Sequence, residues 1–177
     1  MLINRGKRAG FSIVEISVVI GIILVMSGGM LLTNENSWLY RNRVDNAARI
    51  LAVDLRRTQQ SAIGKKINYY LQLLDSLGKN YTQYGYQIYE GAVVGSGTAL
   101  TAAPNIFDKN VVIGEDLTSN NYIMFGPLGQ VVSSNLRVGS AAPNPYYVQL
   151  ESLEGSEVRY MCISLETGYV DITKSAP

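Results

Sequence analysis

Hydrophobic and polar positions divide the chain into three stretches with different periods. From Phe11 to Leu32, 22 residues carry one charge, Glu15, and the other polar side chains are Ser12, Ser17 and Ser27. A helix of that length rises about 33 Å, enough for a hydrocarbon core of roughly 30 Å, so residues 11–32 read as a membrane-spanning segment. A secretory signal fits less well, because its apolar region runs about 7–15 residues before a small-residue cleavage site. In the next stretch Val44, Ala48, Leu51, Leu55, Thr58 and Ala62 step by 4, 3, 4, 3 and 4, the stripe of an amphipathic helix. No proline occurs before Pro104, and the first strong stop after the stripe is Gly64. The pattern therefore predicts one long helix from about Ser12 to Ile63. Its first half is apolar all round, and its second half, residues 33–66, is amphipathic. Gly28-Gly29 and the polar Thr33–Ser37 cluster are the places where it can bend.

From residue 67 onward the pattern is that of strands. Ile67–Leu74 and Tyr84–Tyr89 are rich in aromatic and β-forming residues, and Tyr122–Phe125 is an apolar run stopped by Gly126-Pro127. Tyr147–Leu153, Glu157–Leu165 and Tyr169–Thr173 read as a meander turning at Glu154–Ser156 and Glu166–Gly168. Gly91–Asn105 and Asp108–Asn121 read as loops, the second interrupted by Val111–Ile113. Eleven of the 12 tyrosines follow Ile67, which suits a β head with amphipathic side chains at its surface. The expected fold class is α+β, a long N-terminal helix packed on an antiparallel β-rich head at 67–177.

Composition narrows the chemistry. The chain has no histidine, so a Ser-His-Asp triad and histidine-ligated metal are excluded. Its one cysteine, Cys162, closes no intrachain disulfide, and mid-strand it reads as a small buried hydrophobe. Asn105, Asp108, Asn110, Glu115, Asp116, Asn120 and Asn121 crowd oxygen ligands into one stretch, yet they match no calcium loop and read as turn residues. Gly95-Ser96-Gly97 lacks the strand–loop–helix setting of a phosphate cradle. No paired carboxylates stand out as catalytic. The expectation is a chain that is not an enzyme and carries no catalytic residue, cofactor or metal.

Charge is unevenly spread although Lys+Arg number 15 and Asp+Glu 14. Arg41–Lys66 holds seven basic residues and two acids, +5, whereas Ile67–Pro177 holds five and ten, −5. Three accounts are open: a solvated polar helix face, with Arg41/Asp45 and Asp45/Arg49 as i,i+4 pairs, packing against acidic neighbours, and attraction of the basic helix to anionic lipid head groups. The C-terminal tail offers only Lys174, and a net acidic head lacks the counterion-release term of duplex binding, which weighs against nucleic acid as a partner.

One junction needs its own account. Arg5, Lys7 and Arg8 precede Gly10, Phe11 follows, and Glu15 sits four residues later inside apolar sequence. An ionised side chain in a spanning helix costs about 2.5–3.5 kcal/mol on insertion scales, so something positive is expected to meet it. A cut after Gly10 would create an α-amino group, largely cationic at neutral pH, which suits Glu15 of a neighbouring staggered copy. Basic residues on the two sides of the span, Arg5, Lys7 and Arg8 against Arg41, Arg43 and Arg49, leave its orientation tied.

This constellation resembles the N-terminus of type IV prepilins and type II secretion pseudopilins. The resemblance implies a leader at 1–10, cleavage after Gly10 by a prepilin peptidase and N-methylation of Phe11. It also implies insertion in the bacterial inner membrane with the leader inside and the head outside, which breaks the tie. Phe11 and Glu15 are then the assembly residues. The partners are membrane lipid, other pilin or pseudopilin subunits and an inner-membrane assembly platform. The later sequence is similar to FimT-like minor pilins and H-type minor pseudopilins: Leu55–Ala62 ending the helix, Tyr84–Tyr89, Ile123–Gly129 and Thr167–Val170. The function implied is a structural minor subunit of a type IV pilus or a type II secretion pseudopilus. The alternatives are a single-pass anchored binding module, a competence-type pilin that binds DNA, and a surface enzyme using carboxylates.

Overall fold

Helix α1, Ile13–Thr33, and helix α2, Glu35–Lys65, account for the N-terminal third of the chain. The structure, a computed structural model, describes residues 12–33, 35–74, 84–114, 121–139 and 145–177, with side chains described there except at 27–37. The chain divides into two units, Met1–Trp38 and Leu39–Pro177. The single long helix of the sequence reading is thus helical on both sides of Asn34, a residue outside the described set.

In the first unit, every described side chain of α1 is exposed, from Ile13 to Met26. Its two hydroxyls within the described run are satisfied locally. Ser12 accepts the Val14 N–H at 3.3 Å, and Ser17 donates to the Ile13 carbonyl at 2.9 Å. Among the described residues no helix is long and apolar enough to cross a membrane.

In the second unit, α2 buries the stripe that its sequence predicted. Val44, Ala48, Leu51, Leu55, Thr58 and Ala62 are all at most 1% exposed. Thr58, the one polar member, donates its hydroxyl to the Asp54 carbonyl at 2.6 Å and so enters the core without an orphan donor. Ala47 and Ala52 flank the stripe, and small residues let the helix approach the sheets closely. Gly64 is not the stop that the sequence suggested. The helix runs through Lys65, and Lys66 takes the left-handed conformation at φ 56° that turns the chain toward the first strand.

Two antiparallel sheets lie under α2. In the first, β1 (Tyr69–Leu74) is central, pairing with β2 (Gly85–Glu90) on one side and with β6 (Tyr122–Phe125) on the other. Strand β6 continues to β7 (Val131–Ser134), and β2 carries the two-residue strands β3 (Thr98–Ala99) and β4 (Asn105–Ile106). The second sheet runs β11 (Val170–Thr173), β10 (Val158–Ile163), β9 (Tyr146–Ser152), β5 (Val111–Ile113), with β8 (Arg137–Val138) also on β9. Strands β9, β10 and β11 are the meander expected from the sequence.

Strict alternation sets the inner face of the second sheet: Val148 and Leu150 on β9, Met161 and Ile163 on β10, Val170 on β11. They meet Leu51, Leu55, Leu71, Leu73, Ile123 and Phe125 in one core. That alternation corrects the reading of Cys162. Arg159, Met161 and Ile163 take the inner face of β10, so Cys162 is half-buried on the outer one, 3.8 Å from the Thr173 hydroxyl. Burial there pushes its thiol above the ordinary value.

The tyrosines are also deeper than expected. Tyr69 and Tyr70 are fully buried and Tyr86 is 1% exposed. Tyr70 stacks on Tyr89 at 4.9 Å beneath the 91–97 segment, which covers the outer face of the first sheet.

Candidate functional site

The residues singled out at the N-terminus fall at the edge of the described chain. Gly10 and Phe11 lie outside it. Glu15 is the third residue of α1 and is exposed. Ser12 precedes the helix as its N-cap: its hydroxyl accepts from Val14, and its carbonyl accepts the N–H groups of Glu15 and Ile16 at 3.0 and 3.2 Å. Ser12-x-x-Glu15 has the spacing of a capping box, a signal present in the sequence. A carboxylate in a helix's first turn gains about 0.3–1 kcal/mol from the exposed amide dipoles. That is less than the roughly 2.5–3.5 kcal/mol cost of placing the charge in a bilayer. Capping therefore accounts for a carboxylate here only in part, and a cationic partner is still needed if the segment enters lipid.

The oxygen-rich stretch is used structurally. Asn105, in β4, donates to Asp54 at 3.4 Å, and Asp108 pairs with Arg43 at 3.5 Å while accepting the Asn110 amide at 3.0 Å. Asn121 is buried at the start of β6, and its carbonyl takes the Leu73 N–H. Glu115, Asp116 and Asn120 lie outside the described residues. Among the described residues no three acidic, Cys or His side chains gather as a metal site. The Gly95–Gly97 amides, which a phosphate cradle would need free, both donate to the Tyr70 hydroxyl, at 3.1 and 3.3 Å.

The surface beside α2 has more shape. One groove, about 270 Å³, is lined by Arg43, Asn46, Ile50, Tyr86, Ile106 and Asp108. A second, about 370 Å³, is lined by Asp54, Arg57, Ser61, Lys65, Leu100 and Thr101. Asn105 lines both. Asp54 of the second groove accepts the hydroxyl of Tyr86, which lines the first, at 2.6 Å. Burial, and then the hydrogen bond to this carboxylate, hold the Tyr86 phenol well above its ordinary range, so it stays protonated as the donor. At the far end Glu90 accepts from Tyr69 and from Lys65, the latter at 3.1 Å. Neither groove brings two carboxylates together, as a carboxylate enzyme would require.

The other flank of α2 holds the turn motifs. The Gln59 amide donates to the Gly129 carbonyl at 2.8 Å and to the Thr167 carbonyl at 2.7 Å, so one side chain ties a turn of each sheet to the helix. Gly168 has φ +64°, and a Cβ there would run into the Gly129 oxygen and the Gln59 amide. Sequence reasoning noticed both turns but not that they converge.

Helix α2 lying on an antiparallel β-rich domain, with turns of both sheets fastened to it, makes an α+β fold. The chain shares that fold with the type IV minor pilin FimU of Pseudomonas aeruginosa strain PAO1, at TM-score 0.51 and 19% identity over 77% of this chain and 94% of that one. A second crystal form of FimU aligns at TM-score 0.49 and 17% identity, covering 75% of this chain and 96% of that one. No protein-family model matches the chain, and no curated protein matches it.

Proposed function

We propose that the chain is a minor subunit of a type IV pilin-like fibre, either a pilus or the related secretion pseudopilus. It is cut after Gly10 by a prepilin peptidase and N-methylated at Phe11. Residues 11–32 hold it in the bacterial inner membrane, with the head outside, until an assembly platform draws it into the fibre. The apolar helix then lies in the fibre core, and Glu15 sets register by pairing with the Phe11 amine of a neighbour. The observation that carries this reading is a combination. A basic leader, Gly10-Phe11, Glu15 and an apolar run precede a head that has the fold of a minor pilin.

The test has two readouts. Intact mass of the chain isolated from membranes is expected to give a methylated Phe11 start. An intact leader instead supports a plain anchor carrying a binding head. Glu15→Leu is expected to insert normally and to be lost from the fibre. If Glu15→Leu enters the fibre at the parent level, the pairing role is wrong.

A further inference from the structure

The two flanks of α2 present unlike surfaces. Arg57 and Gln59 are two residues apart, about 200° around the helix, so they serve opposite sides. On the Arg57 side the grooves are rimmed by exposed apolar residues, Ile50, Leu100 and Ile106 at 58, 46 and 53%. Arg57 itself is exposed and has no ion pair or hydrogen bond among the described residues. Its neighbours in charge are occupied, Lys65 with Glu90 and Arg43 with Asp108. The Arg57 side is thus concave and apolar, with a free cation.

On the Gln59 side the two fastened turns project outward. Leu128, at the tip of the first, is 86% exposed, and Tyr169, after the second, is 61% exposed. Glu166 in the second turn is exposed with no partner among the described residues. Gln59 ties both turns to the helix, which reduces the ordering entropy lost when they are buried. The apolar side chains of this knob are Leu128 and Tyr169; Arg56 lies over the Tyr169 ring at 5.9 Å and is taken up by the Val170 carbonyl at 2.8 Å, which leaves Glu166 as the free charge.

A knob and a groove on opposite flanks of one molecule cannot meet within that molecule. Between two copies they form a heterologous contact, which does not close as a two-fold dimer. We propose that the groove beside Arg57 receives the Leu128–Tyr169 knob of a second copy of this chain, with Glu166 of one copy opposite Arg57 of the other. This rests on the fibre-subunit reading above. Anchored neighbours supply the high effective concentration at which such a contact forms. It also gives the +5 helix and the −5 head a meeting place without either surface having to pair with itself.

The experiment uses the full chain in its membrane with Cys162→Ser. Two differently tagged copies are co-expressed, one with Ile106→Cys and one with Leu128→Cys, and treated with a short bismaleimide. A mixed-tag dimer is expected, well above the product from two Ile106→Cys or two Leu128→Cys copies. Arg57→Glu on the first copy is expected to lower it about ten-fold, and Glu166→Arg on the second to restore it. Restoration also shows that Arg57→Glu chains are folded. The proposal is overturned by absence of the mixed product from chains present at the parent level. It is equally overturned by indifference to Arg57→Glu, or by same-site products of equal yield. A Phe11 start without the crosslink sinks this contact and leaves the fibre reading standing, whereas an intact leader with the crosslink does the reverse.

Discussion

Replacing Asp45 by alanine tests how the head is fastened to the helix. Arg159 of β10 is a charged residue on the inner face of a sheet, with its side chain 5% exposed. Its Nε donates to Asp45 of α2, and its Nη1 donates to Glu157 at 3.2 Å and to the Val158 carbonyl at 2.7 Å, while Nη2 has no partner. Removing one member of a fully buried pair costs about 3–5 kcal/mol, because the other charge stays buried and uncompensated. Asp45 is 31% exposed and Glu157 remains in place, so Asp45→Ala is expected to cost about 2–3 kcal/mol after that discount.

Arg159→Met removes the buried charge itself, fills similar volume and leaves Asp45 able to rehydrate. It is expected to cost under about 1 kcal/mol, and the double variant should match it. Urea unfolding of residues 37–177, followed by circular dichroism at constant slope, measures all three. Asp45→Ala within about 0.5 kcal/mol of the parent, or Arg159→Met as the more damaging change, would refute a buried Arg159 charge that depends on Asp45.

Other expectations follow from the same geometry. Gly168→Ala must place a Cβ against Gly129 and Gln59 at φ +64°, whereas Gly155 at φ +68° has open space around it. Gly155→Ala should therefore show left-handed strain alone, about 1–2 kcal/mol, and Gly168→Ala roughly 1–3 kcal/mol more from crowding. Equal losses in thermal unfolding would remove the convergence on Gln59 as the cause. The Tyr69 hydroxyl and then the Lys65 ammonium hold the Glu90 carboxyl below its usual range. Its contribution is thus present above the unfolded value of about 4.3 and is lost as pH falls through the folded one. Glu90→Gln should flatten the acid limb of a stability–pH curve, and an unchanged limb would show that the cluster does not couple to folding.

The sequence made the helix legible because six positions of one stripe repeat the same vote, and each is buried. The longer strands were legible for a similar reason, since alternation over six or seven residues separates the faces. Strands β3, β4 and β8 have two residues each, too few to show a period, and they exist because a partner strand lies beside them. Tyr70 and Tyr86 show a different limit: an aromatic with a hydroxyl suits either surface or core. Only the Gly95 and Gly97 amides and the Asp54 carboxylate decide for the core. Glu15 was legible as the one charge in an apolar run. The grooves were not, because Asp54 and Asn105 are 51 residues apart in the chain and meet only in the fold.

Charge, finally, works in two regimes that salt separates. Arg41–Lys66 carries two acids against seven cations, and both acids turn toward the head, Asp45 to Arg159 and Asp54 to Tyr86 and Asn105. The sequence expectation of an Asp45/Arg49 surface pair gives way to this, while Arg41 stays near Asp45 at 4.0 Å. With the acids turned inward, the outward face is more cationic than the count implies, and Arg57 is left for a neighbour. Exposed charges are screened over about 10 Å at 0.1 M ionic strength and about 3 Å at 1 M, whereas buried pairs are screened far less. Raising salt to about 1 M should therefore lower the Ile106–Leu128 crosslink several-fold while leaving the stability gap between the parent and Asp45→Ala nearly unchanged. A crosslink that persists in high salt would mean that Leu128 and Tyr169 alone hold the contact. A stability gap that collapses with salt would mean that Arg159 is solvated in the folded chain.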